Sequence, residues 1–188
     1  MENKLKNNTV LDLLFRAANS NPSKTYCKSP DHEFTYQQFT TACIKLSNEI
    51  AKKKINNERI GIFLPNSILF LISYFAILMS GNRPALLNYL LPDIALGKLI
   101  ENLKPSLLIS DKAPLKSEGI IVKIEDYLEL EESSIDEKDF RCESSEVGAI
   151  LFSGGTTGIP KQINHSHKCI ISMVDRMEWG WPTNPNEK

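Results

Sequence analysis

Apolar residues recur at two different spacings along this chain, and the alternation between them outlines its elements. Val10, Leu13, Leu14 and Ala17 fall on one helical face behind Thr9, a suitable cap, and Asn21-Pro22 ends the run. A longer stripe comprises Phe39, Ala42, Cys43, Leu46 and Ile50. Thr35 and Gln38 form a capping box in front of it, and Lys52, Lys53 and Lys54 load its C-terminal end with cations. Between these helices, residues 26–28 and 33–34 predict short strands around a Ser29-Pro30-Asp31 turn.

From residue 59 the pattern repeats. Residues 59–64 are apolar and predict a strand. Asn66 is the expected cap of a buried helix over 67–80, which Gly81 stops. Residues 84–87 predict the next strand. Pro92 opens a helix carrying Ile94, Leu99, Ile100 and Leu103, and Pro105 follows it. Further strands fall at 107–109 and 120–124. Strands that are apolar throughout and alternate with helices predict an α/β fold, a parallel sheet with helices on both faces and right-handed crossovers. Residues 125–146 are acidic and lose apolar periodicity after Leu130, as a surface connector with one short helix at 125–130 would. A strand over 147–152 then leads into a glycine-rich loop, residues 162–164 return as a strand, and Ser166 caps a last helix running to about residue 179.

That loop, Ser153-Gly154-Gly155-Thr156-Thr157-Gly158-Ile159-Pro160-Lys161, carries the chemistry. Its glycines let the backbone take positive φ and let a ligand come close. Successive N–H groups in such a turn form a concave anion site. Thr156 and Thr157 add hydroxyl donors and Lys161 adds a point charge. Many donors, one cation and no bulky side chain suit a polyphosphate. An ordinary linking loop requires neither paired threonines, nor Pro160 at its exit, nor a lysine directly after it. The loop is not a Walker P-loop, because Pro160 precedes Lys161 and Gln162 follows it, so no hydroxyl is placed for Mg²⁺. The GxGxxG spacing is also absent.

Charge and cysteines narrow the classes. A formal net charge of −1 over 188 residues gives no general case for nucleic acid or an anionic membrane. Cys27, Cys43, Cys142 and Cys169 form no CxxC pair and read as reduced cytosolic thiols. His165 and His167 form an H-x-H pair without the cysteine or carboxylate cluster that a metal centre needs. Residues 60–79 carry no charge, but Pro65-Asn66-Ser67 leaves a helix of about 14 residues where a span needs roughly 20. The polar, asparagine-rich start is not that of a signal peptide. A cytoplasmic protein without a membrane span is expected.

The loop resembles the phosphate-loop signature of the AMP-forming adenylating enzymes (acyl-CoA synthetases, peptide-synthetase adenylation domains and luciferases), whose usual form is Thr-Ser-Gly-Thr-Thr-Gly-x-Pro-Lys-Gly. Here Ser153 replaces the first Thr, Gly154 the Ser, and Gln162 the last Gly. Phe34-Thr35-Tyr36 is similar to the family's Thr-Tyr-x-Glu-Leu stretch. Phe63-Leu64-Pro65-Asn66-Ser67 is similar to its Leu-Pro-Asn-Ser turn, and Leu87-Asn88 with Leu91-Pro92 to its Leu-Asn-Pro-Arg-Leu-Pro segment. The likeness runs from about Thr9 to His167.

The resemblance implies a partial N-terminal domain. Residues 1–124 form the α/β scaffold, 125–146 the acidic connector, and 147–168 a strand–loop–strand phosphate motif. It implies ATP with Mg²⁺, whose ligands are expected outside these residues, and CoA or a carrier-protein thiol as acyl acceptor for a carboxylic acid. An acyl-CoA synthetase is the first reading and a carrier-loading adenylation domain the second. A catalytically incomplete nucleotide-binding or structural fragment is the alternative of another class. Ser153, Gly154, Gly155, Thr156, Thr157, Gly158 and Lys161 are the implied phosphate-binding residues, with no nucleophile, general base or metal ligand among them. His167 reads as structural. Surface meant for the rest of such an enzyme, near Trp179 and Trp181, predicts self-association.

Overall fold

The computed structural model describes residues 9–112, 118–129, 146–153 and 160–180, with side chains to residue 177. Helix α1 (Val10–Ser20) precedes a two-stranded hairpin of β1 (Thr25–Lys28) and β2 (Glu33–Thr35), then α2 (Tyr36–Ala51). The main sheet contains β3 (Arg59–Phe63), β4 (Arg83–Leu86), β5 (Leu107–Ser110), β6 (Gly119–Ile121), β7 (Val147–Phe152) and β8 (Gln162–Ser166). Helix α3 (Ile68–Met79) links β3 to β4, α4 (Asp93–Leu103) links β4 to β5, and α5 (His167–Gly180) follows β8. A short 3-10 turn at Ile124–Tyr127 stands where the start of the connector predicts a helix.

Strand order is β6-β5-β3-β4-β7-β8. All neighbours are parallel except β7 and β8, which pair antiparallel as a hairpin. The expected parallel sheet is therefore present, with one reversed edge strand. Both of its faces are covered. Ile60, Ile62, Leu107 and Ile109 join a core with residues of α1, α2 and α3. Phe63, Ala85, Leu87, Leu108 and Ile150 join a second core with Leu96, Leu99, Ile100 and Leu103 of α4. Successive residues of one strand thus enter opposite cores, which is why these strands are apolar throughout.

Local chemistry sets the element ends. Thr9 and Thr35 both form full capping boxes, with Asp12 and Gln38 respectively. The cap of α3 is Ser67, not Asn66: its Oγ accepts the Phe70 N–H at 3.3 Å. On α4, Leu99, Ile100 and Leu103 are buried as expected, but Leu96 completes the face and Ile94 is 79% exposed. In α1, Val10 and Leu14 are buried as expected, while Leu11, Phe15 and Ala18 fill the rest of the face in place of Leu13 and Ala17.

Asn82, 3% exposed, ties the α3–β4 turn to the α2–β3 loop. Its Oδ1 accepts the Glu58 N–H, while its Nδ2 donates to Ile55 O and Ser80 O. Pro84 sits inside β4 without breaking the ladder. Arg83 and Leu87 donate to Glu58 O and Ile62 O on the β3 side. The donor that Pro84 lacks falls on the other edge, where β7 joins only at Ala85↔Ile150.

No helix among the described residues is long and apolar enough to cross a membrane. Met173, Val174 and Met177 of α5 are exposed, as are Leu151 and Ile163 on the hairpin. Trp179 and Trp181, the residues expected to form an associating patch, lie outside the described side chains.

Gly61 tests the close packing of β3. A Cβ there would lie 2.7 Å from Leu108 Cδ1 and 3.2 Å from Leu87 Cδ1. Gly61→Ala should cost about 1–3 kcal/mol through overpacking. Because the contact is with Leu108, the double variant Gly61→Ala/Leu108→Val should be more stable than the two single losses add up to. Urea melts of the four proteins measure this, and strict additivity would contradict the packing described.

Candidate functional site

The candidate site is built at the end of β7. Its hairpin with β8 pairs Leu151 with Ile163 and Phe152 with Gln162. Beyond these pairs, Ser153 and Lys161 bond reciprocally. The Ser153 N–H donates to Lys161 O at 3.0 Å, and the Lys161 N–H donates to Ser153 Oγ at 3.2 Å. The glycine-rich segment thus leaves and re-enters the sheet through a closed neck. That neck lies at the carboxyl end of β7, which runs parallel to β4, and open α/β sheets receive ligands at the carboxyl ends of their strands. Of the expected phosphate residues, Ser153 and Lys161 are placed, at the two sides of the neck. Gly154, Gly155, Thr156, Thr157 and Gly158 lie outside the described residues.

The other end of the hairpin is fixed by His167, which is 1% exposed. Its N–H donates to Glu146 O at 3.1 Å. Its Nδ1 accepts the N–H of Val10, the first residue of α1, at 3.2 Å. A helix start leaves such N–H groups without intrahelical partners, so the imidazole acts as a second cap on α1. Accepting at Nδ1 requires a ring without a proton there. Burial pushes the His167 pKa down, while Glu146 and Asp12 oppose this. Gly148 makes room for the ring, since a Cβ there would lie 3.1 Å from His167 Nδ1 and 2.9 Å from Ile170 Cδ1. The ladder register shifts at this glycine, between Val147 and Ala149.

The two histidines of the H-x-H pair therefore part company. His167 is buried against α1, and His165 lies beside Cys169 on α5. Among the described residues no group of three or more His, Cys, Asp or Glu side chains comes together.

Sequence reasoning did not find a second cleft, of about 290 Å³, at the carboxyl ends of β3 and β5. Leu64, Pro65, Ser67, Asp111 and His32 are among its lining residues. The chain leaves these adjacent strands in opposite directions, toward β4 and toward β6, which is the arrangement that opens a crevice in such sheets. Nearby, Tyr89 donates to Asp111 Oδ2 at 3.1 Å and lies under Lys112 Nζ, 4.5 Å from the ring centroid. Only the Pro65-Asn66-Ser67 turn hints at the cleft in the sequence.

Comparison with known proteins agrees with this architecture. The family profile of AMP-binding enzymes matches residues 14–188. Vanchrobactin synthetase VabF of Vibrio anguillarum is 22% identical over 95% of this chain and 6% of its own length. D-alanine–D-alanyl carrier protein ligase of Lactococcus lactis subsp. lactis (strain IL1403) is 21% identical over 89% of this chain and 35% of its own. The structure of O-succinylbenzoate coenzyme A synthetase (MenE) from Bacillus subtilis, in complex with AMP, superposes with a TM-score of 0.77 at 16% identity, covering 91% of this chain and 46% of that one. The chain thus spans well under two thirds of each of these proteins.

His167 gives the local test. The unfolded chain takes up its proton around the ordinary value of 6.5, and the folded chain only at lower pH. The stabilisation is therefore full above pH 6.5 and is lost as pH falls below it. Melting temperature should drop from pH 7.5 to 5.5. His167→Asn keeps an acceptor near Nδ1 without a titrating ring and should flatten that part of the profile. His167→Ala leaves the Val10 N–H unpaired and should cost about 1–3 kcal/mol at pH 7.5, a cost that shrinks as pH falls below 6.5. A wild-type profile no steeper than that of His167→Asn would contradict the clamp.

Proposed function

Because this chain belongs to the AMP-binding enzyme family, we propose that it supplies the phosphate-holding part of an enzyme that activates a carboxylic acid with ATP and passes the acyl group to a thiol. The observation that carries this reading is the closed neck at Ser153 and Lys161, at the carboxyl end of a parallel strand. Residues 1–124 serve as scaffold, 125–146 as connector, and 147–168 as the phosphate motif.

In the first half-reaction a carboxylate oxygen attacks the α-phosphorus of ATP. The bond to the bridging oxygen breaks, pyrophosphate leaves, and an acyl adenylate remains. In the second, a thiol attacks the acyl carbon and AMP leaves. The loop's role is electrostatic. Backbone N–H groups around Gly154, Gly155 and Gly158, with the hydroxyls of Thr156 and Thr157, hold the β- and γ-phosphates, and Lys161 brings the positive charge. Ser153 keeps the loop closed. None of these residues moves a proton or forms a bond. The Mg²⁺ that accompanies ATP supplies charge neutralisation in this reading. It is assigned to ligands outside these residues.

CoA is the acceptor in our first reading, which makes the enzyme an acyl-CoA synthetase. The D-alanyl carrier protein ligase among the relatives favours a second, in which the thiol belongs to a carrier protein. Offering CoA and a phosphopantetheinylated carrier in parallel separates the two. A reaction that uses ATP suits a cytoplasmic setting. The apolar side chains exposed on α5 and the hairpin support self-association of the isolated chain.

The Lys161 side chain provides the sharpest check, in the enzyme that carries this chain. Negative charge accumulates on pyrophosphate as the α-phosphate bond breaks, so a charged contact there strengthens in the transition state. Its loss should cost about 2.7–4 kcal/mol, on the order of 10²–10³ in kcat. Lys161→Ala should slow adenylation, followed by acid-dependent exchange of labelled pyrophosphate into ATP. It should spare thiol attack on a supplied acyl adenylate. Lys168→Ala is the nearby charge control. Equal losses in both half-reactions, or in both variants, would overturn the reading.

A further inference from the structure

Cys169 occupies the first turn of α5, and its N–H donates to Ser166 Oγ at 3.2 Å. Its side chain is exposed, and its Sγ lies 3.5 Å from Nδ1 of His165, contributed by a different element, β8. Three features that make a cysteine nucleophilic therefore coincide: solvent access, the positive end of a helix dipole, and an imidazole within proton-transfer reach. Cys27 and Cys43 show the opposite arrangement. Burial pushes the Cys27 thiol up to about 11 and holds Cys43 well above the usual thiol range. His165 has no task in the clamp that His167 forms, and Cys169 has none in the phosphate loop.

We propose that Cys169 and His165 form a thiol–imidazole pair, a modification site at which Cys169 exchanges with low-molecular-weight disulfides of the glutathione type. The Cys169 S–H proton passes to His165 Nδ1, and the thiolate attacks one sulfur of the disulfide. The incoming S–S bond breaks as the bond to Cys169 forms, and the expelled thiolate takes the proton back from the imidazolium. Cys169 is oxidised to a mixed disulfide, and half of the incoming disulfide is reduced to free thiol. A monothiol reductant reverses the exchange. The inference does not depend on the adenylating reading, because its readout is chemistry at one sulfur and not activity.

Two probes test it on the whole chain, iodoacetamide and glutathione disulfide, with each cysteine followed by mass spectrometry of its peptide. Cys142→Ser serves as background. At neutral pH, Cys169 in the folded protein should react about tenfold faster than the same cysteine in urea. An exposed thiol without a partner would react no faster when folded. His165→Ala and His165→Gln should each remove most of that advantage, while His32→Ala should leave it intact. Buried Cys43 is the internal control for folding, because it stays unreactive in any variant that keeps its core. Should a His165 variant expose Cys43, the folded-against-urea comparison in the wild type decides alone. Equal rates for Cys169 in folded and urea-treated protein, or equal rates in the wild type and a folded His165 variant, would overturn the proposal.

Discussion

The arrangement of this molecule depends on the β7–β8 ladder being held at both ends. At one end the Ser153 and Lys161 bonds close the neck of the loop. At the other, His167 joins Glu146 to the start of α1. A glycine-rich loop has a high conformational entropy, and fixing its two ends removes part of that cost before any ligand arrives. The hairpin is also the edge of the sheet, where pairing is weakest: β4 and β7 share a single register pair. The buried cap on α1 compensates by fastening the hairpin to the large core through a helix that precedes the sheet in sequence.

The two cores divide this support between them. The larger joins α1, α2 and α3 to one face of β3 and β5, and the smaller joins α4 to the other face. Ile150 of β7 belongs to the smaller core, while Ile170 of α5 packs against the larger. Strand and following helix are thus anchored to opposite sides of the sheet. Gly148 and its register shift allow the chain to serve both, because any side chain there would meet His167 and Ile170.

The order and kind of the elements were legible in the sequence because their signals are periodic and local. The cap at Thr9 and the capping box at Thr35 sit where the structure has them, and the structure adds Asp12 as the second half of a box at Thr9. Finer positions were not. Asn66 and Ser67 are both good caps, and the geometry after β3, not composition, selects Ser67. Ile94 is as apolar as Leu96, but the exact turn at which α4 leaves Pro92 puts one in solvent and the other in the core. The cleft between the exits of β3 and β5 depends on strand order, which no single stretch encodes. The split of His165 from His167 follows from the alternation of a strand meeting the first turn of a helix, and H-x-H spacing does not reveal it. The glycine-rich stretch stood out by its residue types as the candidate phosphate site, and the structure adds the paired bonds of Ser153 and Lys161 at its two sides.

The central claim is that this closed neck holds a polyphosphate. It is tested most directly by nuclear magnetic resonance of the ¹⁵N-labelled chain titrated with inorganic pyrophosphate at constant ionic strength. The account predicts that the Ser153 and Lys161 amide signals move together with a common dissociation constant, while those beside Leu64 and Asp111 stay in place. Signals at Ser153 and Lys161 that do not move at millimolar pyrophosphate, or larger shifts at the Leu64–Asp111 cleft, would contradict it.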